Sequence, residues 1–372
     1  MKITRFQAEN FRNIRSCDIS FSDGVTLFFG ENAQGKTNAM EGIYLFSRGK
    51  SFRKISERNL IRFGEEGFSL GIEYEDRTGK NTLSYTVFGG ERKRMKNGYE
   101  ITRVSEMIGS FRAVLFCPDH LLLIKEGPEE RRNFLDVAIS QCYPAYLHCY
   151  TNYKKTAEQR NCLLRLAARG MPVDREEIAA WSESLAEYAA SLYLYRKQYI
   201  KNLEGDTASF MKEISDGKEE VTLKYECDIK ETDDKDEARE RYREVFLSDL
   251  SHEMAAGTTL YGMTRDDLSI RLNGKSARLF ASQGQQRSLV LALKMAEGEV
   301  SHTLTGEYPV FLLDDVLSEL DGRRREFLLS GGKKQKQILI TSCSKKETEG
   351  VTNRMIEVRD GEFFPVEDSQ KD

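Results

Sequence analysis

Along the 372-residue chain the spacing of apolar positions changes twice. Near the N-terminus, Ile3 to Phe11 and Cys17 to Phe21 alternate apolar and polar residues as half-buried strands do, with Asn10-Phe11-Arg12-Asn13 as a polar bend between them. Val25-Thr26-Leu27-Phe28-Phe29 is a short β-rich run. From Asn38 to Phe46 the period is helical, with Met40, Ile43 and Tyr44 on one face. Strands return from Phe68 to Phe88, Asn97-Gly98 marks a hairpin turn, and Phe111 to Phe116 reads as a buried strand closed by Pro118.

Between about 125 and 215 the helical period takes over. Gly127-Pro128-Glu129-Glu130 opens a first helix, with proline in the first turn and acids at the positive dipole end. Tyr146, Tyr150, Tyr153, Ala157 and Leu164 mark the face of a second, which stops at Arg169-Gly170-Met171-Pro172. Asp174 and Glu177 form a capping box ahead of a long stripe, Ile178, Trp181, Leu185, Tyr188, Leu192, Tyr195 and Tyr199. Two long antiparallel helices follow most simply, and aromatics at this spacing read as core before they read as a base-stacking surface. Val221 to Cys227 is a strand, the acidic stretch Asp228 to Glu240 a loop or helix start, and Leu268 to Leu279 a hairpin turning at Asn273-Gly274.

Composition limits the function. Lysine and arginine number 56 against 60 acids, a formal charge of -4, so any DNA contact must be a local patch. Ser47 to Lys54 and Arg92 to Lys96 are the densest basic runs, each readable as a phosphate contact or as a solvated segment. No stretch approaches the roughly 20 apolar residues of a membrane span, and Met1-Lys2-Ile3-Thr4-Arg5 opens no signal-peptide core, which points to the cytoplasm. The seven cysteines contain no C-x-x-C pair and the four histidines form no ligand cluster, which leaves the cysteines as small buried hydrophobes.

The chemistry concentrates in two places. Gly30-Glu31-Asn32-Ala33-Gln34-Gly35-Lys36-Thr37 reads G-x-x-x-x-G-K-T, a phosphate-binding loop set between a strand and a helix. Its glycines let successive backbone N–H groups converge on phosphate oxygens, Lys36 supplies a point charge, and the Thr37 hydroxyl can ligate Mg²⁺. Near the other end, Tyr308 to Asp315 is a buried parallel strand ending in two carboxylates, which lands beside the phosphate loop at the C-terminal edge of an open sheet. Asp314 is placed to hold Mg²⁺ through water, and Asp315 to orient or deprotonate an attacking water. Ahead of that strand, Ser282 and Gln285 form a capping box on a helix from Ser288 to Glu299, a second anion-friendly terminus. Two anion sites and one carboxylate pair suggest that a second copy supplies half of each pocket.

The phosphate loop, Ser282-Gln283-Gly284-Gln285 as a signature motif, Asp314-Asp315, and Ser318-Glu319-Leu320-Asp321 as a D-loop together resemble an ABC-type ATPase head of the SMC kind. With Gly127-Pro128, Arg131-Arg132-Asn133-Phe134-Leu135-Asp136 and Arg265-Asp266-Asp267-Leu268, the chain most closely resembles the RecF family over nearly its whole length. Three blocks depart from the family pattern: Pro118-Asp119-His120-Leu121, Gly262-Met263-Thr264, and Thr341-Ser342-Cys343 where a run of threonines is expected. No role is carried over to those positions.

The resemblance implies an α/β fold: a P-loop ATPase head with a mixed sheet, residues 1–124 and 265–372, and a mainly helical arm, 125–264, inserted between its two nucleotide-binding halves. It implies that ATP and Mg²⁺ bind at Gly30 to Thr37 and Asp314. Ser282, Gln283 and Gly284 of a second subunit then complete the site, and Asp315 positions hydrolysis. The implied activity is a weak, DNA-stimulated ATPase used as a switch, dimerising on ATP to bind duplex or gapped DNA in recombinational gap repair. Implied partners are double- and single-stranded DNA, RecR and RecO, and through them RecA loading and SOS induction. A transporter-type ABC subunit or a scaffold with a vestigial site would share the nucleotide motifs.

Overall fold

The computed structural model describes residues 1–330, 336–348 and 350–366. In chain order its strands are β1 (Lys2–Phe11), β2 (Ile14–Ser20), β3 (Val25–Phe29), β4 (Gly67–Asp76), β5 (Gly79–Phe88), β6 (Glu91–Lys96), β7 (Tyr99–Glu100) and β8 (Ala113–Phe116). Then come β9 (Val221–Glu226), β10 (Asp267–Leu272), β11 (Lys275–Ser276), β12 (Val310–Asp314), β13 (Ile338–Ser342), β14 (Arg354–Arg359) and β15 (Glu362–Val366). The chain divides into two compact units, one made of Met1–Leu121, Ser209–Glu219 and Ser282–Asp372, the other of Leu122–Ala208 and Glu220–Ala281.

In the first unit, an antiparallel sheet runs in the order β2-β1-β4-β5-β6-β7 and a mixed sheet in the order β15-β14-β3-β13-β12-β8. The pairs among β8, β12, β13, β3 and β14 are parallel, and β15 closes the edge antiparallel. The parallel strands are apolar throughout because both faces are covered, and β3, β8, β12 and β13 are buried along their full length. In β1 the register on β4 slips between Ile3 and Arg5; this extra residue lets Ile3, Phe6 and Ala8 all face inward. One buried cluster takes in Phe6, Leu70, Ile72 and Leu83 from the first sheet, Phe28, Leu312, Leu339 and Ile356 from the second, and Met40, Ile43 and Tyr44 from the helix Lys36–Arg48. The helix that carries the phosphate loop is thereby packed into the core of both sheets.

The second unit is helical, with a three-stranded antiparallel sheet in the order β11-β10-β9. Its helices are Pro128–Cys142, Pro144–Ala168, Lys235–Ser248, Leu250–Ala256 and most of the 40-residue Arg175–Ile214. The two long ones are antiparallel: Tyr146 and Tyr195 meet edge-on at 5.8 Å, and Arg160 Nε donates to Ser182 Oγ at 2.8 Å. Asp174 caps the longer one by accepting from Glu176 N–H at 2.8 Å. Ile178, Leu185, Leu192 and Tyr199 are buried as the stripe predicts, but the buried face also holds Arg196, and Arg160 lies opposite it, both inside the core.

Residues 265–281, which the family resemblance groups with the head, lie in this second unit, because β10 runs six residues in register against β9. Conversely Ser209–Glu219 belongs to the first unit, where Phe210 packs edge-on against Phe327 at 5.7 Å.

Candidate nucleotide site

The loop after β3 turns on two glycines. Gly30 has φ 150° and Gly35 has φ 119°; a Cβ would stand 2.3 Å from Val358 O at the first and 2.9 Å from Asn13 Oδ1 at the second. Gly35 is also the N-cap of Lys36–Arg48, which has no side-chain cap and no acid in its first turn. Its free N–H groups and dipole are therefore left for an anion. Glu31, Asn32 and Ala33 expose their side chains, so their backbone is what lines the loop. Gln34 anchors it to the β14–β15 turn, accepting from Gly361 N–H at 2.9 Å and Asp360 N–H at 2.5 Å.

Lys36 is 7% exposed and folds back on the loop, donating to Gly30 O at 2.6 Å and Glu31 O at 2.7 Å. Thr37 Oγ1 donates to Asp314 Oδ1 at 2.9 Å. The carboxylate at the end of β12 thus reaches the loop across the intervening β13. Thr341, on β13, donates to the same oxygen at 2.9 Å, and its own oxygen accepts from Asp315 N–H at 2.9 Å. Burial pushes the Asp314 pKa above its ordinary 3.8, while the hydroxyls of Thr341 and Thr37 and the positive charge of Arg53 oppose the shift. Asp315 is exposed and sits at φ 53°, a left-handed backbone that costs a non-glycine residue of order 1–3 kcal/mol and turns its side chain away from the strand.

Sequence reading missed the ring around this centre. Arg12, in the polar bend between β1 and β2, is locked bidentate on the fully buried Glu41 at 2.9 and 3.0 Å, and Arg53 reaches the same carboxylate at 3.4 Å. Arg53 also donates to Asn38 Oδ1 at 3.1 Å, and Asn38 to Asn13 Oδ1 at 2.7 Å, tying the basic segment after the helix to the loop. Arg12, with φ 57°, precedes Asn13 in a tight turn; only that basic bend hinted at it. Cys343 donates to Asn32 Oδ1 at 2.9 Å with its sulfur 3.9 Å from Lys36 Nζ, so of the divergent block Cys343 meets the loop and Thr341 meets the carboxylates beside it. The expectation of buried cysteines holds for Cys17 and Cys117; Cys162 and Cys343 are exposed.

Ser282, Gln283 and Gly284 stand elsewhere on the same unit. Ser282 caps the helix Gln283–Thr305 with both bonds of the box, Gln285 N–H to Ser282 Oγ at 3.3 Å and Ser282 N–H to Gln285 Oε1 at 2.8 Å. Ser282 and Gln283 are exposed. A Cβ on Gly284 would meet Arg324 Nη2 at 3.5 Å and no part of the phosphate loop within 4 Å. One chain therefore carries a phosphate loop with its carboxylate and, apart from them, an open helix terminus.

A phosphate loop and a carboxylate-ended strand on a mostly parallel sheet, joined to an antiparallel sheet and interrupted by a helical unit, are the fold of an ABC-type ATPase head. The model of the RecF/RecN/SMC N terminal domain matches residues 2–362, and the chain belongs to the RecF family. The DNA replication and repair protein RecF of Geobacillus thermodenitrificans (strain NG80-2) is 38% identical over 346 residues, covering 92% of this chain and 93% of its own. A solved structure of the recombination mediator protein RecF-ATPrS in the RecFOR pathway superposes with a TM-score of 0.92 at 32% identity, over 98% of both chains. An SMC head bound to the C-winged helix domain of ScpA shares the fold at a TM-score of 0.57 and 16% identity, over 98% of both chains.

Proposed function

We propose that this chain is an ATP-dependent DNA-binding protein of recombinational gap repair and replication maintenance, closing into a dimer on ATP. The observation that carries the reading is the meeting of Thr37 and Thr341 on one oxygen of Asp314, beside a loop whose lysine is held by carbonyls a phosphate can replace. ATP binds on Gly30 to Thr37, with the loop N–H groups and Lys36 on its phosphates. The donor set fits Mg²⁺: a hydroxyl and a single carboxylate are what a cation that keeps most of its waters uses, and among the described residues no cluster of three His, Cys, Asp or Glu offers a harder cage. Thr37 and Asp314 hold it, and when bound it offsets the charge of the phosphate oxygens.

Asp315, exposed at the end of β12, orients the attacking water and accepts its proton. Ser282, Gln283 and Gly284 form no hydrogen bond with their own loop among the described residues, and they complete the loop of a second copy. Each site is unfinished in the monomer, so turnover is slow and hydrolysis serves as a release step. The relatives' names put those proteins in DNA replication, repair and the RecFOR pathway, which supports DNA as the ligand; on the proposed reading it is duplex or gapped DNA, with RecO and RecR acting alongside in loading RecA.

Binding to a duplex, measured with and without ATP at two salt concentrations, tests the reading. ATP should strengthen it and salt weaken it. Binding indifferent to ATP would reject it.

A further inference from the structure

We infer that the phosphate backbone of duplex DNA lies against the edge of the antiparallel sheet formed by β6 and the segment that follows the phosphate-loop helix. The inference rests on the DNA-binding reading above and names the surface. The chain as a whole is acidic, with 56 basic and 60 acidic side chains, yet residues 48–58 and 91–106 together hold ten basic and four acidic ones. Folding brings the two segments together. Glu57 accepts from Arg92 Nε at 2.6 Å and from the Tyr85 hydroxyl, so the loop 50–58 is fastened to β6 and its strand partner. A Cβ on Gly49, at the end of the helix, would lie 2.2 Å from Val104, so the start of this loop packs against the segment that follows β7.

The charges on this edge are arranged differently from those on β1. There, cations are matched to acids: Arg5 to Asp18 at 2.5 Å and Glu73 at 3.1 Å, Lys2 to Asp23 at 3.1 Å and Glu75 at 3.3 Å. Along β6, Arg94 is braced over the Tyr85 ring at 4.6 Å and Lys96 donates to Ser110 Oγ at 2.8 Å, which orders these side chains without neutralising them. Arg92 is matched to Glu57, but Arg58, Lys93 and Arg103 are exposed, and among the described residues no acid forms an ion pair with their side chains, Glu106 accepting only the backbone N–H of Arg103. The edge of β6 is covered from Arg94 to Lys96, by the two-residue β7 and by Ile101 N–H donating to Arg94 O at 2.9 Å, which leaves Glu91–Lys93 open at the edge; Tyr99 beyond the turn is 79% exposed. An open strand edge with ordered and unmatched cations suits a continuous line of phosphates. Acidic loops or metabolites would need no such length.

The triple variant Arg58→Glu/Lys93→Glu/Arg103→Glu tests this against the control Arg15→Glu/Lys80→Glu, whose exposed cations lie on β2 and in the β4–β5 hairpin. The full-length proteins are titrated with a short blunt duplex in ATP at several salt concentrations, with nucleotide affinity as the check on folding. The triple variant should lose about tenfold or more in duplex affinity and lower the salt slope by about 3, near 0.9 for each phosphate contact removed, with nucleotide affinity unchanged. Should the triple variant fail to bind nucleotide, Lys93→Ala alone should lower the slope by about 1. Equal binding by the triple variant and the control would overturn the surface while leaving the function standing. Absence of duplex binding by the unmodified chain would overturn both, and a loss confined to single strands would overturn the duplex.

Discussion

Asp314 shares one carboxylate oxygen with the Thr341 hydroxyl at 2.9 Å, and the same hydroxyl accepts the N–H of the residue that follows, Asp315. Thr341 therefore fixes both carboxylates, one through its side chain and one through its strained backbone. Thr341→Val keeps the volume and removes both bonds, leaving Asp314 Oδ1 with Thr37 alone and the Asp315 N–H without its partner. A buried polar group so stranded costs about 1–3 kcal/mol, so ATP turnover should fall by about tenfold to a hundredfold. ATP binding, which rests on the loop, should fall by less. Steady-state rates and nucleotide titration separate the two. Asp315→Asn should instead stop turnover with affinity intact and hold the closed dimer on DNA.

Lys36 and Ser282 belong to the same polypeptide and, in the proposed cycle, to opposite sides of a shared pocket. Lys36→Met removes the cation on the phosphates and should abolish ATP binding. Ser282→Arg should leave ATP binding as it is and block ATP-dependent dimerisation, seen by light scattering or ultracentrifugation. A serine variant that still dimerises on ATP would sink the proposal that a second copy completes the site.

Much of this centre was legible from the residues because its parts are local in sequence. The phosphate loop is eight consecutive residues, the Ser282 box four, and the strand of Asp314 one apolar run. What escaped was set by pairing across distance. Thr341 matters because β13 lies between β3 and β12, and no spacing in the sequence states that order. The pairing of Arg12 and Arg53 with a common partner was hidden because that partner, Glu41, sits on a helix face where an acid is unexpected in the core. Arg160 and Arg196 were hidden the same way, inside stripes read from apolar residues alone. The unit boundaries depend on β9 pairing with β10 across 40 intervening residues, Cys227 to Asp266, which periodicity does not reveal.

The cysteines give a chemical readout of the same site. Burial pushes the thiols of Cys17 and Cys117 up to about 12, so neither forms thiolate at pH 8. Cys162 and Cys343 are exposed. A maleimide or disulfide reagent at that pH should label Cys162 and Cys343 first and leave Cys17 and Cys117 until the chain unfolds. With Cys343 touching Asn32 and lying 3.9 Å from Lys36 Nζ, ATP should slow its labelling and leave Cys162 unchanged. Mass spectrometry of the labelled peptides reads each site separately. Equal labelling of Cys343 with and without ATP would place the nucleotide elsewhere.

The helical unit offers a test of stability with a built-in probe. Arg160 and Glu253 are both fully buried, and the guanidinium is satisfied on every side, by Glu253 at 2.5 Å, Ser182 at 2.8 Å, Thr259 at 2.9 Å and Phe246 O at 2.9 Å. Removing one charge of such a pair leaves the other without compensation, so Arg160→Met should cost about 3–5 kcal/mol. Glu253→Gln should destabilise comparably, since it strips the buried guanidinium of its counter-charge and, with the other carboxylate oxygen accepting Leu260 N–H at 2.8 Å, turns the amide NH2 towards a donor. Replacing both, Arg160→Met with Glu253→Leu, removes the stranded charge and should recover most of the loss, because the pair's attraction is largely spent on its own desolvation. The chain has one tryptophan, Trp181, adjacent to the Ser182 that holds Arg160, so its fluorescence during urea unfolding follows this unit and not the nucleotide-binding one. A double variant no more stable than Arg160→Met would show that the four hydrogen bonds, and not the uncompensated charge, set the cost.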